Sequence, residues 1–151
     1  MASEIKASVV IPTKDRKEIL KKCLTALNKQ TYDFNKFEIV IIDDGSSQNN
    51  KRMIESLNLN LSINYYFQEN SGPAKARNHG IKKAKGEYII FIDDDIIVNN
   101  KFIEAHLNQH EDNSKVIVHG PVIYTNDLDN PTSTEKKLSD FSNAFFATGN
   151  D

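Results

Sequence analysis

Two kinds of apolar pattern alternate along the chain. The β-rich runs "ASVVIP" (7–12), "FEIVIID" (37–43), "LSINYYF" (61–67), "EYIIFID" (87–93) and "KVIVHGPVIY" (115–124) predict strands. The second and fourth are unbroken rather than alternating, which suits strands covered on both faces, as in a parallel sheet. Between the runs, apolar residues recur at helical spacing. Over 16–29, Ile19, Leu20, Cys23, Leu24 and Leu27 share one face. Asp15, with Glu18 three residues on, has the form of a capping box with Asp in place of Ser or Thr. A weaker helix is expected over 50–58, and another opens at Pro73, a favoured first helical position, and stops near Gly86. A fourth runs through about 100–110, with Phe102, Ile103, His106, Leu107 and His110 on one side. This alternation predicts a parallel, right-handed βαβ sheet with helices on both faces, an α/β fold.

Ligands of open parallel sheets bind beyond the carboxyl ends of the strands. Those ends read Pro12-Thr13-Lys14-Asp15, Asp43-Asp44-Gly45-Ser46-Ser47, Gln68-Glu69-Asn70-Ser71-Gly72 and Asp93-Asp94-Asp95. All four clusters are expected on one rim. Three adjacent carboxylates behind an apolar strand need something positive beside them. If the chain stays extended, Asp93 and Asp95 point the same way. Two converging carboxylates suit Mg²⁺ or Mn²⁺, the remaining ligands coming from substrate phosphate and water. The alternative is a solvated acidic turn capping the next helix. Asp43 and Asp44 have a similar double meaning: tight-turn chemistry with serine caps, or a carboxylate that accepts from a ligand N–H or hydroxyl. Helical spacing sets Arg77 on a side shared with Ala74, Ile81 and Ala84, hence inward, where it needs an anion. That anion is a phosphate at the helix N-terminus behind "NSGP", a neighbouring Asp, or each in turn. His106 and His110 have metal-ligand spacing, but "LNQ" between them carries no carboxylate, and they read as a helix flank. His119 is given no role.

Composition narrows the class. With 151 residues, 38% apolar and 26% charged, the chain suffices for one globular domain with a real core. A net charge of -2 implies no general attraction to nucleic acid or anionic lipid. The single cysteine, Cys23, excludes an internal disulfide and a cysteine-rich zinc site, and its place on an apolar helix face makes it a core residue. No run approaches the ~20 apolar residues of a membrane span. "MASEIKASVVIP" lacks the pattern of a signal peptide, so a cytoplasmic setting is expected. Residues 125–137 are polar and predict a surface loop. "LSDFSNAFFATGND" then regains apolar spacing at Leu138, Phe141 and Phe145 before the sequence stops. The expectation is a core over 1–124, an incomplete region over 125–151, and a chain truncated at its C-terminus.

The blocks "SVVIPTKDR", "IVIIDDGSS" and "NSGPAKARNHGIKKAKGEYIIFIDDD", in this order and spacing, resemble the family 2 glycosyltransferases of the GT-A fold. The resemblance runs from residue 7 to about 124, and "ATGND" resembles the start of the acceptor-side block that follows in many members. It implies a mostly parallel Rossmann-like sheet, a nucleotide-sugar donor (commonly UDP-linked), Mn²⁺ or Mg²⁺, and inversion at the anomeric carbon. Carried over by position, Pro12, Thr13, Lys14 and Asp15 line the nucleobase and ribose pocket and Asp44 bonds the base. Arg77 lies near the diphosphate, Asp93 approaches the ribose or the diphosphate and is a candidate metal ligand, Asp95 binds the metal, and Asp94 holds the variable middle position with a weaker substrate-side role. Members place the general base, an Asp or Glu, beyond the "TGN"-like segment. Asp127, Asp129, Glu135 and Asp140 have no matching context, so donor and metal binding without efficient transfer is expected of residues 1–151. The acceptor, whether sugar, lipid-linked or protein, is left open, as is attachment of a longer parent at the inner face of a membrane. Three other classes share acidic α/β rims. A receiver-type phosphorylation module gathers its acids after the first strand, where this chain reads Pro-Thr-Lys-Asp. A haloacid dehalogenase-type phosphatase has its nucleophile there too, whereas Asp93 follows the fourth strand. A non-catalytic nucleotide-binding domain is the third. A dinucleotide-binding domain is disfavoured, because no G-x-G-x-x-G follows the first strand.

Overall fold

The computed structural model describes residues 4–111, 116–120 and 145–147, those of 111 and 145–147 by backbone alone. The chain divides into two units, Met1–Leu107 and Asn108–Asp151. In the first, β1 (Ala7–Thr13), α1 (Lys17–Leu27), β2 (Phe37–Asp44), α2 (Asn50–Ser56), β3 (Ile63–Gln68), α3 (Pro73–Lys83) and β4 (Tyr88–Phe91) follow one another, and α4 (Phe102–Glu111) runs across the boundary. The sheet has the order β3-β2-β1-β4 with every pairing parallel.

The unbroken run of β2 has the physical cause expected of it; that of β4 does not, since β4 ends the sheet order, with Tyr88 and Ile89 half-buried and Phe91 exposed. All eight residues of β2 are buried, because helices cover both faces of the sheet. On one face Val9, Ile11, Ile39, Ile41 and Ile90 pack with Leu20, Cys23, Leu24 and Leu27 of α1, Met53 and Ile54 of α2, and Ile103 and Leu107 of α4. On the other, Val10, Val40 and Ile42 meet Ala76 of α3. Gly80 lets α3 approach this closely: a Cβ there would stand 2.2 Å from Val10 Cγ1. At the amino ends of the strands, the buried Glu38 accepts from Ser8 Oγ (2.7 Å), Asn64 Nδ2 (2.8 Å) and Lys85 N (2.7 Å). Its charge is thereby matched by donors, and the α3–β4 connection is tied beneath β1 and β2.

Several expectations change. Of the fifth run, the described strand does not extend the parallel sheet: within the second unit, β5 (Ile117–His119) pairs antiparallel with β6 (Phe145–Ala147). The capping box is not made. Arg16 is the N-cap of α1 and no side chain caps it; Asp15 takes a left-handed φ of 52° and turns away. The buried stripe of α3 is Ala76 and Gly80, not the side carrying Ala74 and Ile81, both of which are exposed. Arg77 therefore sits on a flank, half-exposed. Ile19 of α1 is also exposed, while Cys23 is buried as expected. Among the described residues no helix is long and apolar enough to cross a membrane. The loop expected over 125–137 lies outside the described residues.

Candidate functional site

The carboxyl ends of β1 and β2, the start of α3 and the turn after β4 enclose a cleft of about 370 Å³. It is lined by Pro12, Thr13, Lys14, Arg16, Asp44, Asn70, Gly72, Pro73, Ala76, Arg77, Asp93, Asp94 and Asp95. Every site residue carried over from the family resemblance lines it except Asp15; Asp43, the other acid at the end of β2, does not line it either. A second hollow of about 340 Å³, beside β3 at Lys51, Ile54, Glu55, Ile63, Asn64, Tyr65 and Tyr66, contains none of those candidates.

The acid triplet is not a continuation of the strand. β4 ends at Phe91; Ile92 N still donates to Val10 O (3.2 Å), and Ile96 N then closes a turn on Asp93 O (3.1 Å). The turn sends Asp94 inward, where it is only 3% exposed and accepts from Thr13 Oγ1 (2.7 Å) and Arg16 Nη1 (2.8 Å). Asp93 and Asp95 stay at the surface. Arg16 Nη2 reaches Asp95 at 3.0 Å, and Arg77 Nη2 pairs with Asp93. Two guanidinium groups are the positive partners that three adjacent carboxylates require. Burial pushes the Asp94 carboxyl above its ordinary value, and the charges of Asp95 and Asp93 push the same way; Thr13 and Arg16 oppose them without prevailing. Burial, with the charges of Asp94 and Asp95, drives the Cys23 thiol up to about 12, so it stays neutral and inert.

The adjacent acids of β2 divide between two tasks. Asp43 is fully buried and accepts from Ser46 N (2.8 Å), Asn50 Nδ2 (2.8 Å) and the Tyr65 hydroxyl (2.5 Å). Burial, then the bond to Asp43, raises the Tyr65 phenol. Asp44 faces the cleft and collects the β3–α3 loop: Gln68 Nε2 (2.7 Å) and Ser71 N (2.8 Å) donate to one oxygen, Gly72 N (2.8 Å) to the other. Burial pushes Asp44 up, but these three donors and the charge of Lys14 outweigh it and hold the carboxylate below its usual range. Oriented by its partners, the Asn70 amide donates to Asp44 (3.1 Å) and accepts from Lys14 Nζ (2.8 Å). Gly45, at a φ of 82°, makes room for this loop, since a Cβ there would lie 2.8 Å from Asn70 N. Asp15 accepts from Ser47 N and Oγ, both at 2.8 Å, and its own N–H donates to Ser46 Oγ (2.8 Å). It clips the β1–α1 loop to the β2–α2 loop at the cleft's margin, and those bonds lower its carboxyl. The only acid of the first strand end is thus occupied outside the cleft.

Arg16 and Tyr65 are not among the residues that the sequence singles out, and Gln68 and Asn70 stand there only as members of the rim cluster after the third strand. A signal for Arg16 existed: a cation three residues past the end of β1, on the rim that carries the acid triplet. His106 packs edge-on against Phe102, ring centroids 4.6 Å apart, as a flank residue. Among the described residues, no group of three or more histidine, cysteine or acidic side chains is placed to hold a metal ion. The surface carboxylates Asp93 and Asp95 offer hard oxygen donors, and the cleft lining contains no histidine or cysteine. That set fits Mg²⁺ or Mn²⁺ carrying phosphate and water ligands of its own.

An acidic and guanidinium-lined cleft at the carboxyl end of a parallel sheet with helices on both faces lies where open α/β domains bind their ligands. The model of the family described as glycosyl transferase family 2 matches residues 8–150, and the chain belongs to that family, with the GT-A fold. It is 36% identical over 117 residues to an uncharacterized glycosyltransferase of Rickettsia bellii, covering 77% of this chain and 16% of that protein. It is 31% identical over 111 residues to the poly(ribitol-phosphate) β-N-acetylglucosaminyltransferase TarS of Staphylococcus aureus, covering 70% of this chain and 19% of TarS. The crystal structure of an S. aureus TarS fragment in complex with UDP-GlcNAc superimposes with a TM-score of 0.73 at 27% identity, over 85% of this chain and 38% of that one. The mannosyltransferase PcManGT of Pyrobaculum calidifontis, solved with GDP-Man and Mn²⁺, shares the fold, with a TM-score of 0.68 at 21% identity over 74% of this chain and 34% of that one. The chain thus spans under a fifth of these two curated relatives.

Proposed function

We propose that this chain is the donor-binding part of an inverting glycosyltransferase that uses a UDP-sugar and a divalent cation held by Asp93 and Asp95. The observation that carries this is the convergence of four strand ends on one cleft, in which a turn of carboxylates is balanced by two guanidinium groups. Family membership and the likeness to TarS, whose structure holds UDP-GlcNAc, support a nucleotide-sugar donor.

Each residue then has a task. Pro12, Thr13 and Lys14 form the β1 wall against the nucleoside, and Asp44 meets the base while fixing residues 70–72. Asp15 keeps that wall in register with the β2–α2 loop. Arg77 and the start of α3 face the diphosphate, where positive charge and helix polarity stabilise an anion. Asp94 sits beneath, holding the turn that presents Asp93 and Asp95. A divalent cation, when bound, supplies Lewis-acid stabilisation to the departing diphosphate. Inversion also requires a general base facing the acceptor hydroxyl. None of the described residues is assigned that role, so donor binding is the activity expected of these residues.

Calorimetric titration with UDP, GDP, ADP and CDP, with and without Mn²⁺, tests this. UDP is expected to bind tightest, and at least about tenfold tighter with the metal. Equal affinity with and without Mn²⁺ contradicts the metal role. Preference for another base contradicts the assignment of UDP.

A further inference from the structure

Arg16 differs from the other cleft cations in bridging a buried and an exposed carboxylate with one planar group. Nη1 lies 2.8 Å from Asp94, whose side chain is 4% exposed, and Nη2 lies 3.0 Å from Asp95, whose side chain is 47% exposed. The first contact is protected from water and backed by Thr13. The second is open to solvent, where an ion pair is weak and easily exchanged. Arg77, by contrast, has a single carboxylate partner among the described residues, Asp93, itself exposed. A guanidinium with one anchored and one releasable edge can change its outer partner without leaving its place.

The charge of the cleft indicates when it would do so. Lys14, Arg16 and Arg77 face Asp44, Asp93, Asp94 and Asp95, close to balance. A divalent cation alone adds positive charge where Arg16 already holds Asp95. A diphosphate alone adds negative charge beside three carboxylates. Together they restore the balance, provided that Asp95 goes to the metal and a guanidinium edge goes to the phosphate.

We infer that Arg16 is an exchangeable counter-ion: anchored on Asp94, it occupies Asp95 in the free protein, gives Asp95 up to the divalent cation and turns its freed edge to the donor's diphosphate. Arg16 thus couples metal to donor binding and disfavours either alone. The exchange presupposes the donor-binding role proposed above.

The test is titration of Mn²⁺, followed by the electron paramagnetic resonance signal of the free ion, with and without saturating UDP. In the unsubstituted chain, UDP is expected to tighten Mn²⁺ binding at least about tenfold. In Arg16→Gln, Mn²⁺ alone should bind about threefold tighter, because an exposed competitor is gone, and the gain from UDP should shrink to about threefold or less. Arg16→Lys retains a charge against Asp94 but not the fork that reaches Asp95. It should also tighten Mn²⁺ alone, which loss of charge by itself does not explain, and it serves if the Gln variant does not fold. An unchanged or weakened affinity for Mn²⁺ alone, or a full UDP-dependent gain in both variants, overturns the exchange and leaves the donor-binding role standing. An unsubstituted chain that binds neither UDP nor Mn²⁺ overturns both.

Discussion

Asp95→Asn is expected to lower UDP affinity in the presence of Mn²⁺ by about tenfold, the whole of the gain that the metal supplies and on the order of 1.4 kcal/mol, and to leave stability almost unchanged. The asymmetry follows from where the side chain stands. Asp95 is half-exposed, and its one described partner is Arg16, across a solvent-facing contact. Surface substitutions of that kind shift stability by no more than about 0.5 kcal/mol. Asparagine keeps the shape but lacks the charge that a hard cation selects. The contrast with metal-free conditions is the more specific part: without Mn²⁺, the variant should bind UDP at least as well as the parent, because one negative charge has left the neighbourhood of the diphosphate. Calorimetry of both proteins with and without the ion measures this. An equal loss under both conditions would show that Asp95 shapes the cleft rather than holding a metal.

Asp43→Ala should be far more damaging to the fold than Asp44→Asn, although the two acids are adjacent. Asp43 is the buried acceptor of Ser46 N, Asn50 Nδ2 and the Tyr65 hydroxyl. Its removal strands three donors without water, and a loss of about 3–5 kcal/mol is expected. Asp44 ties down residues 70–72 from the cleft wall. Asparagine there retains one acceptor oxygen but turns an N–H₂ towards backbone donors, at about 1–2 kcal/mol. The Asp44→Asn protein should unfold in urea near the parent's midpoint yet bind UDP poorly, since the loop carrying Asn70 is no longer held. A chain that tolerates Asp43→Ala within about 1 kcal/mol while Asp44→Asn collapses would reverse the assignment of structural and ligand-facing roles.

Much of the architecture is legible in the sequence because its causes are local. The unbroken apolar run at 37–43 marks β2 as a central strand, though the same pattern at 87–93 belongs to β4 at the end of the sheet order, and the spacing of Leu20, Cys23, Leu24 and Leu27 marks the buried face of α1. Features decided by tertiary partners are not legible in this way. Asp15 has the sequence of a helix cap, but Ser46 and Ser47, about thirty residues on, offer it better donors. Arg77 has the spacing of an inward residue, but Gly80 lets α3 rest on Val10 along a different stripe and leaves Arg77 on the flank, within reach of Asp93. The triplet looks like the end of a strand, yet its turn buries the middle acid that strand alternation makes least important. Arg16 escapes notice because its partners lie 78 and 79 residues away. The run at 115–124 carries a strand signal, but nothing in its pattern distinguishes a parallel neighbour from the antiparallel one found at 145–147.

The central claim is that the acid turn after β4 exists to hold a divalent cation and, through it, a diphosphate. The most direct measurement is the anomalous diffraction of manganese in crystals of this chain soaked with Mn²⁺ and UDP. One strong peak within coordinating distance of Asp95, about 2.0–2.6 Å, with the diphosphate on its far side and Arg16 turned from Asp95, is the expected result. Ordered UDP with no manganese at the turn, or manganese bound elsewhere with Arg16 still closed on Asp95, would contradict it.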